Sequence, residues 1–481
     1  MRFRFMASLR VVTFGSFCAL VGAASSAAGE ATADISAGRR FPVYPVKASS
    51  NNRYLVDQNN SPFMIVGDSP HSLIGRMSKS DAEFYMANRQ WYGINTLWVE
   101  LLCNDKTACN ADGTTFDGIR PFTTPGDIST PNPVYFQRVD DMLTIAAAHG
   151  ITILLDAVET GGWLATFKAN GAEKAAAFGR YLGNRYNNVP NIIWMYGNDF
   201  QTWADPGDDD VVLAVARGIK SADPNHIHTT ELNYLSSGSL DDARWEPIVG
   251  LDGAYTYYPT YAQVLKEYNR PNFRPVFMVE ANYEFEHNLN TDGGSLPNLR
   301  HQEYWTMLSG ATGQLYGSAY TWRLPSGWLS NWRLRLSARR LIGWRSNLDT
   351  PGVMQLSHMK NLFAPRKWYE LVPDQNHTAV IGGYGTPAPF GTGSVTTDTY
   401  ATAARTPDGT LMIAYMPSIR TISVGMSKLS GAAAARWYDP TNGEYIAVDG
   451  SPFANTGIRQ FTPPGKNHDG DGDWVLLLET D

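Results

Sequence analysis

From residue 53 to about residue 363, short apolar runs alternate with longer amphipathic stretches, and this rhythm constrains the fold more than anything else in the chain. Strands that rejoin one sheet in parallel need crossover connections, and amphipathic helices supply them, so the pattern reads as a parallel α/β domain. Eight runs are candidate strands: 63–67, 96–101, 151–156, 192–196, 226–231, 249–254, 276–280 and 314–320. Eight strands point to a closed (β/α)8 TIM barrel, in which working residues sit at the carboxyl ends of the strands. An open doubly wound sheet is the competing arrangement, but the chain lacks the Gly-x-Gly-x-x-Gly turn that often marks one.

Helices are predicted over 84–92, 135–149, 172–186, 209–222 and 300–309. Ser80-Asp81-Ala82-Glu83 has capping-box spacing before the first, and Gly93 ends it. Pro133 suits a first helical position before the second, with Gly150 as its stop. Past residues 368–373 the texture changes to short alternating runs separated by Gly, Pro, Asn and Asp, with strands expected at 410–415, 421–424, 435–438, 444–447 and 474–478. The expected organisation is a barrel over 40–372 followed by an all-β sandwich over 373–481.

The amino terminus places the chain outside the cytoplasm. Arg2, Arg4 and Arg10 precede an uncharged stretch over 11–24, and the small residues Ser25-Ser26-Ala27-Ala28 suit signal peptidase, so residues 1–28 read as a signal peptide. The apolar run is shorter than the roughly 20 residues of a spanning helix, which weakens the alternative of a retained anchor. A secreted or periplasmic protein is expected, with no membrane association after cleavage. Phe17 before Cys18 does not fit a lipid-attachment motif. Cys103 and Cys109, six positions apart, can close a small disulfide in an oxidising compartment, with two free thiols as the alternative. Removing the leader takes away three arginines and no acid, moving the formal charge from -7 to about -10. Such a chain, without basic runs, suits a neutral substrate better than nucleic acid.

Two strands carry the chemistry. The run 191–199 ends in Asn198-Asp199 and the run 275–280 ends in Glu280, so two buried strands each deliver a carboxylate to the barrel mouth. Hydrolysis of a glycosidic bond needs such a pair, one proton donor and one nucleophile or base. Burial raises a carboxyl pKa toward what a general acid requires, so Asp199 reads as the acid and Glu280 as the nucleophile. A single strand-end acid is as often a loop anchor; two behind matching strands favour catalysis. Other strand ends bring Asp68, His71, Glu100, Asp156, Glu231, Asn233, Tyr255 and Tyr257 to the same mouth. Glu231 is a rival for either catalytic role, and Glu284 follows Glu280 closely in the loop beyond. Trp98, Trp163, Trp194, Tyr283, Tyr316 and Trp322 crowd these regions, and aromatic faces beside carboxylates suit the C–H faces of sugars. Asp68, His71, Glu100, Asn198, Glu231, Tyr257, Tyr283, Glu284 and Trp322 are therefore the candidate substrate-binding residues. Most of the other aromatics read as core.

Other chemistries lack their residues. There is no Gly-x-Ser-x-Gly elbow and no His-Glu-x-x-His, and His226 with His228 reads as strand packing. Asp469-Gly470-Asp471-Gly472-Asp473 has calcium-loop spacing, but Trp474 stands at the turn glycine and Thr480 at the bidentate acid, so it reads as a solvated turn. Neither a metal nor a cofactor is expected.

Residues 53–57, 62–68, 191–199 and 275–280, with Tyr283-Glu284, Arg300, Tyr304-Trp305 and the Gly310-Ala311-Thr312-Gly313 turn, resemble the apiosidase-like glycoside hydrolases, family 140. Asp439-Pro440-Thr441-Asn442-Gly443, Phe461-Thr462-Pro463-Pro464 and Asp473-Trp474-Val475 are similar to the β-sandwich, often labelled collagen-binding, that follows this barrel. The resemblance implies hydrolysis of a terminal sugar, apiose in characterised members, with an Asp after the fourth strand as acid/base and a Glu after the seventh as nucleophile. Asp199 and Glu280 occupy those places. Gly67-Asp68-Ser69-Pro70-His71 stands where many relatives carry Thr-Ala-Trp, and Asn198 where a Gly is common, so the reaction class transfers better than the sugar. The reading is a secreted glycoside hydrolase acting on a polysaccharide or oligosaccharide, with retention expected. The alternative of another class is a non-catalytic carbohydrate- or matrix-binding protein, for which the tail would supply either a binding module or a prop.

Overall fold

Seven parallel strands and one extended segment close a ring in the computed structural model, which describes residues 41–201, 205–289, 292–324 and 343–480. The leader expected at 1–28 lies outside the described residues. Everything below concerns the unit Pro42–Asp481. The first strand, Ile65–Asp68, pairs with the second, Thr96–Glu100, which pairs with the third, Thr152–Glu159, and that with the fourth, Ile192–Gly197. The sixth, Asp252–Thr256, pairs with the seventh, Val276–Glu280, which pairs with the eighth, Gly313–Tyr316. The eighth returns to the first in parallel over four residue pairs, from Gly313 opposite Ile65 to Tyr316 opposite Asp68.

The predicted fifth strand is the one that departs. Residues 226–231 touch the fourth strand through two isolated parallel bridges, Trp194 with His228 and Gly197 with Glu231. On the other side, the His228 carbonyl accepts from the Gly250 and Leu251 N–H groups, which completes the ring. A short strand, Ser236–Gly238, pairs antiparallel with the sixth and takes up much of its remaining edge.

The alternation of side chains explains the layers. Trp98, Leu154, Ile193, Met195, Phe277, Val279 and Leu315 fill the barrel interior. Their strand neighbours Leu97, Val99, Ile153, Leu155 and Ile192 pack toward the surrounding helices. The helices include Lys79–Trp91, Pro133–Ala148, Thr160–Tyr186, Pro206–Ala222, Thr260–Tyr268, Leu296–Leu308 and Pro351–Phe363. The predicted capping box is displaced by one pair: the helix starts earlier, with Ser78 accepting from the Asp81 N–H and Asp81 returning to the Ser78 N–H. Pro133 takes the first helical turn behind the Asn132 cap. Helix Thr160–Tyr186 is broken at Gly171, whose φ of 79° lies outside helical space.

Beyond the barrel, six strands form one antiparallel sheet and three form another. The last strand, Trp474–Thr480, lies inside the larger sheet between Leu411–Met416 and Ala433–Tyr438. Trp474, Leu476 and Leu478 face the smaller sheet, packing with Val380, Ile422, Val424 and Phe461. Val475 and Leu477 face the other way, into the cluster that holds Tyr304, Leu356 and Phe363 of the barrel helices. Burial on both faces is why this strand is continuously apolar instead of alternating.

That packing corrects one expectation. Asp469 and Gly470 are exposed, as in a solvated turn, but Asp473 is fully buried and takes a two-pronged hydrogen bond from Arg300 on helix Leu296–Leu308, at 2.7 Å and 2.8 Å. Arg300 Nη2 also donates to Asp471 at 2.7 Å, and Gln355 donates to Asp469 at 3.0 Å.

Candidate active site

The fourth strand ends in three consecutive residues with positive φ: Gly197 at 113°, Asn198 at 87° and Asp199 at 52°. Left-handed backbone costs about 1–3 kcal/mol at a non-glycine residue, and Asn and Asp tolerate it better than most. At Gly197 no side chain fits at all, since a Cβ would lie 2.2 Å from the Glu231 carbonyl oxygen. The segment is held from two sides. Glu231 accepts the Asp199 N–H at 3.0 Å, and Thr160 Oγ1 donates to the Asn198 carbonyl at 2.9 Å. This turn leaves Asp199 exposed at the mouth, where its Oδ1 accepts from the Tyr255 hydroxyl at 2.5 Å.

Glu280 reaches the mouth by a different route. Phe277 and Val279 point into the barrel and Met278 toward the helices, so simple alternation would send Glu280 outward with Met278. A register irregularity between Met278 and Glu280 breaks the alternation, as strand bulges beside active sites do. The carboxyl then accepts from two phenols, Tyr257 on Oε1 and Tyr283 on Oε2, the latter at 2.7 Å. Burial, followed by the nearby charge of Asp199, pushes Glu280 up to about 8, while the two phenols pull the other way. Asp199 is exposed as a residue, yet the walls of the mouth crowd its carboxyl and exclude water from it, and this desolvation raises it, against the Tyr255 hydrogen bond. Tyr255 and Tyr257, two apart on one strand segment with ring centroids 5.5 Å apart, thus tie the two carboxyls together.

A hydrogen-bonded flank continues from Glu280. The Tyr283 hydroxyl lies 3.2 Å from His71 Nε2, and because Tyr283 gives its proton to Glu280, Nε2 is the donor. Burial pushes His71 down to about 3, so the ring is neutral and its Nδ1 carries no proton. The His71 ring packs tilted against Trp98, with centroids 4.2 Å apart, and lies edge-to-face with Trp322 at 5.8 Å. Glu100 lies 3.4 Å from Nδ1 and accepts from Asn198 at 3.3 Å and Thr107 at 2.7 Å; burial pushes it up to about 8. His71, Asn198, Tyr257, Tyr283 and Trp322 are therefore gathered around the carboxylate pair, with Glu100 buried behind Asn198.

Three expected substrate ligands are placed otherwise. Asp68 is fully buried and engaged by Arg89 at 2.6 Å, by Tyr85 and by the Ser69 N–H, which ties both of its oxygens to the protein. Glu284 turns away to accept from Tyr316 and from the Gly352 N–H at 3.0 Å, anchoring helix Pro351–Phe363. Glu231 is fully buried beneath Asp199, so it touches the Asp199 backbone instead of solvent. Asp156 is also fully buried, and burial raises it well above the ordinary range.

Two groups at the mouth carry no periodic signal in the sequence. Glu286 accepts from the Trp322 indole at 2.5 Å and raises Glu280 by its charge, and Arg323 stacks over Trp322 at 3.9 Å. Both lie in loops, where neither apolar spacing nor capping marks a position. Beside the mouth, Cys103 and Cys109 form a disulfide in the loop after the second strand. Among the described residues no group of three His, Cys, Asp or Glu side chains is arranged to hold a metal ion.

Comparison with known proteins adds family and fold. Residues 49–370 match the family model described as "Apiosidase-like, catalytic domain". Residues 391–479 match one whose description assigns it as a collagen-binding domain of a collagenase. No curated protein matches the sequence. A solved structure described as a glycoside hydrolase superposes with a TM-score of 0.77 at 22% identity, covering 92% of this chain and 99% of that one. A glycoside hydrolase family 5 structure from Bacteroides vulgatus ATCC 8482 gives 0.74 at 22% identity, covering 92% and 95%. At such identities the likeness is one of fold.

Proposed function

The chain belongs to the apiosidase-like family of catalytic domains and is a glycoside hydrolase, and from that premise we propose that Asp199 is its general acid/base and Glu280 its nucleophile. The observation that carries this reading is the pairing of the two carboxyls through Tyr255 and Tyr257 at the carboxyl ends of the barrel strands. The charge of Asp199 works against that of Glu280, so the pair is set to react with one proton between them. Glu280 receives two phenolic hydrogen bonds and Asp199 one, so the reactive form has the proton on Asp199 and the charge on Glu280.

In that form Asp199 protonates the departing oxygen while a Glu280 oxygen attacks the anomeric carbon, and the C–O bond to the leaving group breaks. Water, deprotonated by Asp199, then displaces Glu280, and the product keeps the starting anomeric configuration. Neutral His71 stays a single-proton donor to Tyr283, which holds the nucleophile's second phenol in line. Trp322, partly exposed and edged against His71, offers an aromatic face to the sugar. The substrate is a polysaccharide or oligosaccharide, and the enzyme works outside the cytoplasm, in line with its leader-like first 28 residues.

The test is a panel of plant and bacterial polysaccharides with the released sugar identified and its anomeric configuration followed by NMR. Release of a terminal sugar with retention supports the proposal; an inverted product removes Glu280 as nucleophile. The alternative of a non-catalytic binding barrel is set aside by membership of a catalytic family.

A further inference from the structure

We propose that Glu231 is the positioning residue of the acid/base: its buried carboxyl holds the Asp199 N–H and thereby fixes the left-handed turn that aims the Asp199 side chain across the mouth. The inference rests on the reading of Asp199 as acid/base and goes beyond it by saying what keeps that residue in place.

The geometry is specific. Glu231 is fully buried, its Oε2 accepts the Asp199 N–H at 3.0 Å, and its Oε1 has no hydrogen-bond partner. Its backbone grips the same strand end, since the Glu231 N–H donates to the Tyr196 carbonyl at 2.9 Å and Gly197 bridges Glu231 in parallel. One residue thus clasps the start of the turn with its main chain and the end with its side chain. Between those two points lie three successive positive-φ residues, a conformation that persists only where the surroundings over-determine it. Thr160 holds the carbonyls of Gly197 and Asn198 from the opposite side, but only Glu231 holds the Asp199 amide.

The chemistry also says which form of Glu231 does this. A buried carboxyl with one empty oxygen, close to the charges of Asp199 and Glu280, has only the Asp199 N–H to set against burial and repulsion, which together raise it well above the ordinary range. It therefore serves as a neutral hydrogen-bond acceptor, a task that the side-chain carbonyl of glutamine performs equally well. Leucine, of similar size, cannot.

Leaving-group dependence separates a misplaced acid from a damaged fold. A 2,4-dinitrophenyl leaving group departs without protonation, whereas a sugar alkoxide needs the acid, so loss of the acid lowers kcat/KM on an oligosaccharide but not on the dinitrophenyl glycoside of the same sugar. The full-length protein is assayed as wild type, Asp199→Ala, Glu231→Leu and Glu231→Gln on both substrates, with thermal unfolding of each variant. Glu231→Leu is expected to lose about 100-fold or more in kcat/KM on the oligosaccharide and less than about 5-fold on the dinitrophenyl glycoside, as Asp199→Ala does, while Glu231→Gln stays within about 3-fold of wild type on both. Equal losses on both substrates in Glu231→Leu, or wild-type rates on both, overturn the positioning role. A Glu231→Gln variant as poor as Glu231→Leu overturns the neutral-acceptor role. If Asp199→Ala itself loses equally on both substrates, the acid assignment falls first, and this inference with it.

Discussion

Glu280 is stabilised as an anion by two phenols and destabilised by burial and by Asp199, so its ionisation reports on its neighbour. Removing the Asp199 charge removes a cause that raises the Glu280 pKa, and the sign is therefore downward. In Asp199→Asn, assayed with an activated glycoside, the acid limb of kcat/KM moves to lower pH than in wild type; an unmoved or upward-shifted limb contradicts the coupling. At this scale the placement of Asp199 and Glu280 at the mouth was legible because each closes an apolar strand. Asp68 is buried because Tyr85 and Arg89, 17 and 21 positions on in the helix that follows, pack back onto the strand end, a meeting that apolar spacing does not mark. Glu284 closes no strand, and its partners come from the eighth strand and the helix after it. Sequence proximity to Glu280 said nothing about the direction in which it points.

Strand positions read well from apolar runs, but their ends did not. The irregularity between Met278 and Glu280 and the left-handed run 197–199 both break the two-residue period, and both deliver a carboxyl. A periodicity argument reaches the last apolar residue and stops there, which is why the strand-end acids were recognisable while their aim was not. The fifth strand was anticipated at 226–231 and forms only isolated bridges, partly because the fourth-strand end it meets is already turning at Gly197. The helix start at Ser78 was missed because Ser80 and Glu83 offer the same spacing two residues later. Gly197 is the element's least replaceable position. Gly197→Ala is predicted to cost more than about 2 kcal/mol, from left-handed strain plus a 2.2 Å clash with the Glu231 carbonyl, and to lower the unfolding temperature together with kcat. An alanine variant as stable and active as wild type would show that the turn is not constrained as described.

Across the whole molecule, the barrel and the larger sheet share an apolar cluster and the buried Arg300–Asp473 pair. Removing one partner of a buried pair leaves the other uncompensated, at a cost of about 3–5 kcal/mol. Arg300→Leu is expected to lower the melting temperature markedly, and Asp473→Asn in the same chain to recover part of the loss; an unchanged melting temperature in Arg300→Leu contradicts a supporting role for the contact. This junction was hidden in the sequence because an Asp-Gly repeat normally marks a solvated loop, and its arginine partner lies 173 positions away.

Stability should also follow the buried acids. Glu100 and Glu280 are pushed up to about 8, and Asp156, Glu159 and Glu231 are raised as well, while the buried His71 and His228 are pushed down to about 3 and work in the opposite direction below their ordinary pKa of about 6.5, so the acids dominate only from about pH 7 to 8. Their contribution is full below the unfolded pKa and is lost as pH rises through the folded one. The melting temperature is therefore predicted to fall from about pH 7 to pH 8, with a shallower slope in Glu100→Gln; a flat or rising profile in that window would contradict it.

The central claim is that one carboxyl pair performs the hydrolysis. Its most direct measurement is turnover of the identified oligosaccharide by Glu280→Gln, alongside its melting temperature. A loss of at least about 10⁴-fold in kcat with the fold intact is expected. Turnover within about tenfold of wild type by a folded Glu280→Gln protein would contradict it.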